Sequence, residues 1–198
     1  MIDPRLSRRA LLGAGVFGLL GGLGLRQALA QESLLPTTPQ CADADDPTPT
    51  STEGPYFTPN SPERRSLIET GMAGERVTLV GYVLDRRCRP VPGALFDLWH
   101  CDAGGAYDND GYRLRGHQFT DAEGRFLFET ILPGLYPGRT RHYHVKVQAP
   151  GQDILTTQLY FPNEPQNADD WIFKSALLLD LKPDAGTTVG RYDFVLDV

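Results

Sequence analysis

From Arg76 to its C-terminus the chain repeats one pattern: a short apolar or alternating run, then a turn rich in glycine and proline. No stretch there sustains a helical period. Val77, Leu79, Gly81 and Val83 alternate with Thr78, Val80, Tyr82 and Leu84, the period of an extended strand. Residues 86–93, with Pro90 and Pro92, form a turn-rich break, and 94–100 is a largely apolar run carrying Trp99. Further strands are expected over 125–129, 142–149, 154–161, 176–181 and 192–198, with one helical turn near 61–71. Many short strands with frequent turns favour a sandwich or barrel. The reading adopted is an all-β fold, a β-sandwich of short strands with Greek-key-like connections and little helix. No internal repeat is visible, and 198 residues fit one domain once a targeting segment is removed.

The N-terminus reads as that targeting segment. A basic stretch with the adjacent pair Arg8-Arg9 precedes an uncharged run from Ala10 to Leu25, and Ala28-Leu29-Ala30 supplies a small-x-small cleavage pattern. The run spans 16 residues and is interrupted by glycines, shorter than the ~20 apolar residues of a spanning helix. Residues 1–30 are therefore expected to be a Tat-type signal peptide, with the mature protein periplasmic or extracellular and without stable membrane insertion. Residues 31–52, rich in proline and threonine, read as an extended arm, and 53–198 as the β-sandwich domain.

Removing residues 1–30 takes away four arginines and one aspartate, so the remainder carries −9 against −6 for the whole chain. An acidic surface of this kind offers no footprint for nucleic acid. Three cysteines, Cys41, Cys88 and Cys101, permit one disulfide in an oxidising compartment and leave one thiol over. The pairing stays open. Cys88 and Cys101 are expected to lie too far apart if 94–101 is one extended strand. No C-x-x-C spacing supports a zinc site.

All four histidines lie between His100 and His144, and two form His142-Tyr143-His144. On a strand, i and i+2 share a face, so both imidazoles can converge on one ion. Tyr136 lies just upstream in the loop Leu132-Pro133-Gly134-Leu135-Tyr136-Pro137-Gly138. Tyr107 ends the glycine-rich segment Asp102-Ala103-Gly104-Gly105-Ala106-Tyr107. A lone tyrosine is more often a packed aromatic with a satisfied hydroxyl. Two at strand–loop junctions beside a His-x-His strand suggest a metal site.

The string from Ala94 through Trp99-His100-Cys101 to Tyr107 resembles the intradiol ring-cleavage dioxygenases. So do Phe119 to Pro137, Arg139-Thr140-Arg141-His142-Tyr143-His144 and Thr157-Gln158-Leu159-Tyr160-Phe161, in the family's order. The resemblance implies a β-sandwich holding a mononuclear non-haem Fe(III) on Tyr107, Tyr136, His142 and His144. It assigns Arg139 and Gln158 as active-site residues and Gly54, Pro55 and Tyr56 as part of the substrate pocket. His100 and His117 match no ligand position. The implied reaction takes a catechol-type diol and O2 to a cis,cis-muconate-type product in catabolism of aromatic compounds. Tyr136 would leave the metal and accept a substrate proton, Arg139 would stabilise developing negative charge, and Gln158 would help orient the ring. Each such contact is worth about 2–4 kcal/mol of barrier by analogy with oxyanion donors.

The chain shows no counterpart of the helical region through which catechol and hydroxyquinol members dimerise. It resembles one protocatechuate-type subunit, or the stand-alone exported branch, and is compatible with a homo-oligomer. The two tyrosines are 29 residues apart, and Tyr136 precedes His142 by six. Trimmed loops of this kind predict an open pocket. Export points to an aromatic met outside the cytoplasm, such as a lignin fragment or other plant phenol. The competing readings are a zinc or copper site on the four histidines, a 2-His-1-carboxylate iron(II) site using His142, His144 and an aspartate such as Asp121, and a non-catalytic β-sandwich binding module. The module would need neither the tyrosine pair nor Arg139 and Gln158.

Overall fold

The computed structural model describes Leu35, Cys41 and residues 46–198. The signal segment expected over 1–30 lies outside these residues, as does most of the arm before residue 46. No helix among the described residues is long and apolar enough to cross a membrane.

Among the described residues nine strands make two sheets. They are β1 (Arg76–Asp85), β2 (Leu95–Trp99), β3 (Arg115–Phe119), β4 (Arg125–Ile131), β5 (His142–Gln148), β6 (Leu155–Tyr160), β7 (Asp180–Asp184), β8 (Thr187–Arg191) and β9 (Phe194–Leu196). One sheet runs β4-β1-β8-β7, with β9 also paired to β1, and the other runs β3-β2-β5-β6. Four of the eight connections cross between the sheets, as a Greek-key-like path requires. Two 3₁₀ turns, Pro165–Ala168 and Ser175–Leu177, are the only helical pieces among the described residues.

The core lies between the sheets, where Phe96 packs on Phe126 (4.1 Å between ring centroids), Phe194 (5.3 Å) and Phe128 (5.5 Å). β1 is apolar on both faces because both are covered. Leu79 and Val83 enter the intersheet core, while Val80, Tyr82 and Leu84 pack with Leu127, Val189 and Leu35 of the arm on the other side. A disulfide joins Cys41 to Cys88 there with Cα atoms 5.7 Å apart, and Cys101 is the free, buried thiol.

Past the disulfide the arm bridges the two sheets. Thr48 N donates to Val195 O of β9 (2.9 Å), Ser51 N donates to Thr156 O of β6 (2.9 Å), and Thr157 Oγ1 donates to Pro49 O (2.6 Å). The arm expected over 31–52 is thus extended in its described part, and packed. It delivers the chain to Gly54, over the outer face of the β3-β2-β5-β6 sheet.

Two expectations are corrected. Residues 61–71 form no helix: Arg64 N donates to His117 O and Leu67 N to Glu129 O, with Leu67 fully buried, so cross-chain pairing displaces the local turn. The strand expected over 176–181 divides into the turn Ser175–Leu177 and β7, which starts at Asp180. Leu177 and Leu179 bury themselves at the sandwich edge, and Leu179 N donates to Tyr160 O.

Candidate metal centre

Tyr143, Val145 and Val147 of β5 enter the core, so His142 and His144 project from the opposite face. That face is roofed by the arm and by the loops that follow β2 and β4, and both histidines are buried. His144 stands in register between Trp99 of β2 and Gln158 of β6. The Trp99 indole stacks on its ring (5.0 Å, 10° between planes). Gly54 closes on the imidazole from above. Its φ is +71°, and a Cβ there would lie 3.2 Å from His144 Cε1, so a side chain would crowd the ring.

The two Nε2 atoms approach to 3.1 Å. His142 Nδ1 lies 2.7 Å from Thr140 O, which can only accept. Nδ1 therefore carries the hydrogen, and Nε2 presents a lone pair to the site. Burial, with Arg139 nearby, pushes the His142 pKa down to about 4. Burial and the neighbouring His142 push His144 well below the usual histidine range. Both rings are neutral near pH 7, the form that ligates a metal.

The tyrosines arrive on two glycine-bearing loops packed backbone against backbone. A Cβ on Gly105 (φ +87°) would lie 2.3 Å from Leu135 O, and one on Gly134 would lie 2.3 Å from Gly105 N. Glycine at both positions permits this approach. Asp102 ties the loops: its carbonyl accepts from Gly105 N (3.0 Å) and Gly134 N (2.8 Å). Tyr136 Oη consequently donates to His142 Nε2 at 3.1 Å. Tyr107 stands edge-on to Tyr136 (5.8 Å between centroids) and to His144 (6.1 Å). Its buried hydroxyl has no hydrogen-bond partner among the described residues. Burial raises the pKa of both phenols, so in the metal-free chain each keeps its proton.

Arg139 and Gln158 meet at the edge of the same face. Arg139 NH2 donates to Gln158 Oε1 (2.5 Å), while Arg139 Nε donates to Asp170 Oδ2 (2.9 Å). Tyr160 Oη also donates to Gln158 Oε1 (2.9 Å), and Gln158 Nε2 donates to Thr52 O (2.8 Å). A cavity of about 620 Å³ opens from these groups to solvent. It touches Tyr107, Tyr136 and Arg139, and also Gly54, Pro55 and Tyr56. Tyr56 stacks on Tyr107 (4.3 Å, 19°). Every residue assigned from the sequence thus lies on one face, within this cavity or directly behind it.

His100 and His117 stand elsewhere. His100 Nδ1 donates to Cys101 O (2.7 Å), and Thr130 Oγ1 donates to its Nε2 (2.6 Å). His117 Nδ1 lies 3.2 Å from Ser61 Oγ. Asp121 spends its carboxylate on Arg125 and on the turn amides of Glu123 and Arg125. Among the described residues no three His, Cys, Asp or Glu side chains are placed to hold a metal together, so the 2-His-1-carboxylate reading with Asp121 does not assemble.

Three supporting residues were not visible in the sequence. Asp170 locks Arg139 from a loop 31 residues downstream. Trp99 shows in the sequence as part of a strand and of the family string, with no sign that it stacks on His144. Arg115, buried, donates to Asp108 O (3.0 and 2.7 Å) and Tyr56 O (2.5 Å), bracketing the Tyr56–Tyr107 stack. No local pattern marks Arg115 or Asp170, because their partners are carbonyls and side chains remote in sequence. The donor set itself, two neutral imidazoles and two buried phenols with one hydroxyl unpartnered, fits a hard, highly charged ion such as Fe(III).

Residues 52–198 match the family model described as Dioxygenase. The chain is 29% identical to a catechol 1,2-dioxygenase from Pseudomonas sp. (strain EST1001), over 83% of this chain and 63% of the relative. It is 35% identical to the protocatechuate 3,4-dioxygenase beta chain of Burkholderia cepacia, over 51% of each. It therefore spans roughly half to two thirds of the length of these relatives. Among solved structures, the dioxygenase domain of a dioxygenase–carbohydrate-binding protein fusion from Streptomyces sp. SirexAA-E superposes with a TM-score of 0.76 at 56% identity, covering 77% of this chain and 99% of that one. With the fold and the conjunction of Tyr107, Tyr136, His142 and His144 in place, the chain belongs to the intradiol ring-cleavage dioxygenase family.

Proposed function

We propose that this chain is an Fe(III)-dependent intradiol dioxygenase, cleaving a catechol-type ring between its two hydroxyls with O2 to give a cis,cis-muconate-type product. The observation that carries the reading is the convergence of Tyr136 Oη and His144 Nε2 on His142 Nε2, each at 3.1 Å, beside the unpartnered Tyr107 hydroxyl. Tyr107, Tyr136, His142 and His144 would hold the iron. Bound there, a ferric ion would serve as a Lewis acid for the two oxygens of the diol and would withdraw electron density from its ring.

The side chains do the rest. Tyr136 lines the cavity and, as a phenolate, is the base that takes a proton from the incoming diol. Arg139 sets its positive charge at the cavity wall, where negative charge develops on the substrate, and Asp170 fixes its angle. Gln158 has its oxygen committed to Arg139 and Tyr160 and its nitrogen to Thr52, so it acts by holding Arg139 and the arm in place. Trp99 and Gly54 both pack against His144 and help bury its ring.

The reading extends to location. The Cys41–Cys88 disulfide supports an enzyme that works after Tat-type export, since such bonds persist in oxidising compartments. The activity is tested by loading the purified chain with iron and supplying catechol in air. One O2 consumed per diol, with the ultraviolet absorption of a muconate and no activity in zinc-loaded protein, is the expected result. A fully iron-loaded protein that consumes no O2 with a panel of catechols would refute it.

A further inference from the structure

Trp171 is 88% exposed, the most exposed of the large apolar side chains among the described residues, yet it sits on a firmly held turn. The carboxylate of Asp170, just before it, accepts from Thr140 N (3.0 Å), Arg139 Nε (2.9 Å) and Ile172 N (3.0 Å). Phe173 N closes the turn on Asp170 O (3.0 Å), and the Tyr160 hydroxyl, whose hydrogen goes to Gln158, packs 3.2 Å from Ile172 O. The backbone on both sides of the indole is therefore anchored to the elements that carry Arg139 and Gln158. An isolated exposed apolar residue is ordinary on a protein surface. One whose backbone is anchored at the rim of a reactive cavity presents a flat aromatic surface to whatever enters.

The cavity that touches Tyr107 and Tyr136 at its floor also touches Trp171 and Ile172 at its rim. Its volume of about 620 Å³ leaves much of it empty over a single diol ring. Its lining contains one charged residue, Arg139, and that guanidinium is already paired with the buried Asp170. With Arg139 directed at the reacting ring, the lining holds no second cation for a substrate carboxylate. We propose that Trp171 is a specificity-determining residue that stacks on an uncharged aromatic substituent of the diol, so that the preferred substrate is an aryl-extended catechol. This rests on the ring-cleavage reading above and specifies its substrate class.

The test uses the iron-loaded protein with catechol, 4-phenylcatechol and 3,4-dihydroxybenzoate. The wild type should favour 4-phenylcatechol over both others in kcat/KM. Trp171→Ala should lower the 4-phenylcatechol-to-catechol ratio of kcat/KM about tenfold, mainly through KM, and Trp171→Phe should restore most of it. A wild type that favours catechol or the carboxylate, or an unchanged ratio in Trp171→Ala, overturns the platform while leaving ring cleavage standing. Binding is read separately, by anaerobic titration with 4-phenylcatechol while following indole emission. Saturable quenching that disappears in Trp171→Ala supports the platform even if turnover is absent, a failure that would fall on the ring-cleavage reading. No quenching in the wild type overturns the platform.

Discussion

Arg139 reaches Gln158 through Nη2 while Asp170, almost fully buried, accepts from its Nε at 2.9 Å. The same carboxylate accepts from Thr140 N, two residues before His142, so one acid aligns both the cation and the entry to the histidine strand. Its pKa is lowered from the ordinary value: burial alone would raise it, but two backbone amides and Arg139 outweigh that cost.

Asp170 is accordingly a positioning residue. Asp170→Asn keeps the shape and two acceptor sites but removes the charge opposite Arg139. The expected outcome is a kcat at least about tenfold lower, equivalent to about 1.4 kcal/mol of barrier, with iron content retained. Steady-state kinetics with metal analysis check it. Wild-type kcat in a soluble variant would remove Asp170 from the account.

The Gly105–Leu135 approach makes a second prediction. Gly105→Ala places a methyl 2.3 Å from a carbonyl oxygen at a φ that L residues rarely adopt. The loops must part, carrying Tyr107 away from Tyr136. Stability should fall by more than about 1 kcal/mol, and the variant should bind iron without the wild-type visible band. Denaturation and absorption spectra test the two halves separately.

The Cys41–Cys88 bond closes a segment of 47 residues and fixes the arm over β1. Cys88→Ser should cost about 3–4 kcal/mol by loop-closure arguments. Because the arm leads to Thr52 and Gly54, the loss should also raise KM for the diol. Unaltered thermal stability on reduction would show that the arm packs without its staple.

His100 gives a pH dependence. Burial holds its folded pKa at about 4, against 6.5 for the ordinary side chain. Between those values the unfolded chain takes up a proton that the folded chain refuses. The stability from this group is therefore complete above pH ~6.5 and is lost as pH falls toward ~4, at about 1.4 kcal/mol per unit. His100→Gln should flatten the slope of unfolding free energy by about one proton across that window. An unaltered slope would contradict the neutral, doubly hydrogen-bonded ring.

Much of this molecule was legible in the sequence because its chemistry is local. His142 and His144 share a strand face by simple alternation, and the glycines beside Tyr107 and Tyr136 announced tight loops. β3 and β8 were not foreseen: Arg115–Phe119 and Thr187–Arg191 are largely polar and carry glycines, and their strand form comes from neighbours rather than from their own pattern. The helical turn expected near 61–71 failed for the same reason, since Leu67 answers to Glu129 and not to its own turn. The disulfide needed the third dimension, because Cys41 meets Cys88 only after the arm folds over the sheet. Asp170 and Trp171 lie in a segment without strand pattern or motif, and their importance rests on what they touch.

The most direct test of the central claim is the visible spectrum of the iron-loaded protein, recorded before and after adding catechol without oxygen, for wild type and Tyr136→Phe. A broad visible band that shifts with the diol, and is altered in Tyr136→Phe, is the predicted result, because Tyr107 and Tyr136 would both be bound as phenolates. A colourless protein with full iron occupancy, or a band indifferent to catechol and to the loss of the Tyr136 hydroxyl, would contradict the assignment of these tyrosines to the metal.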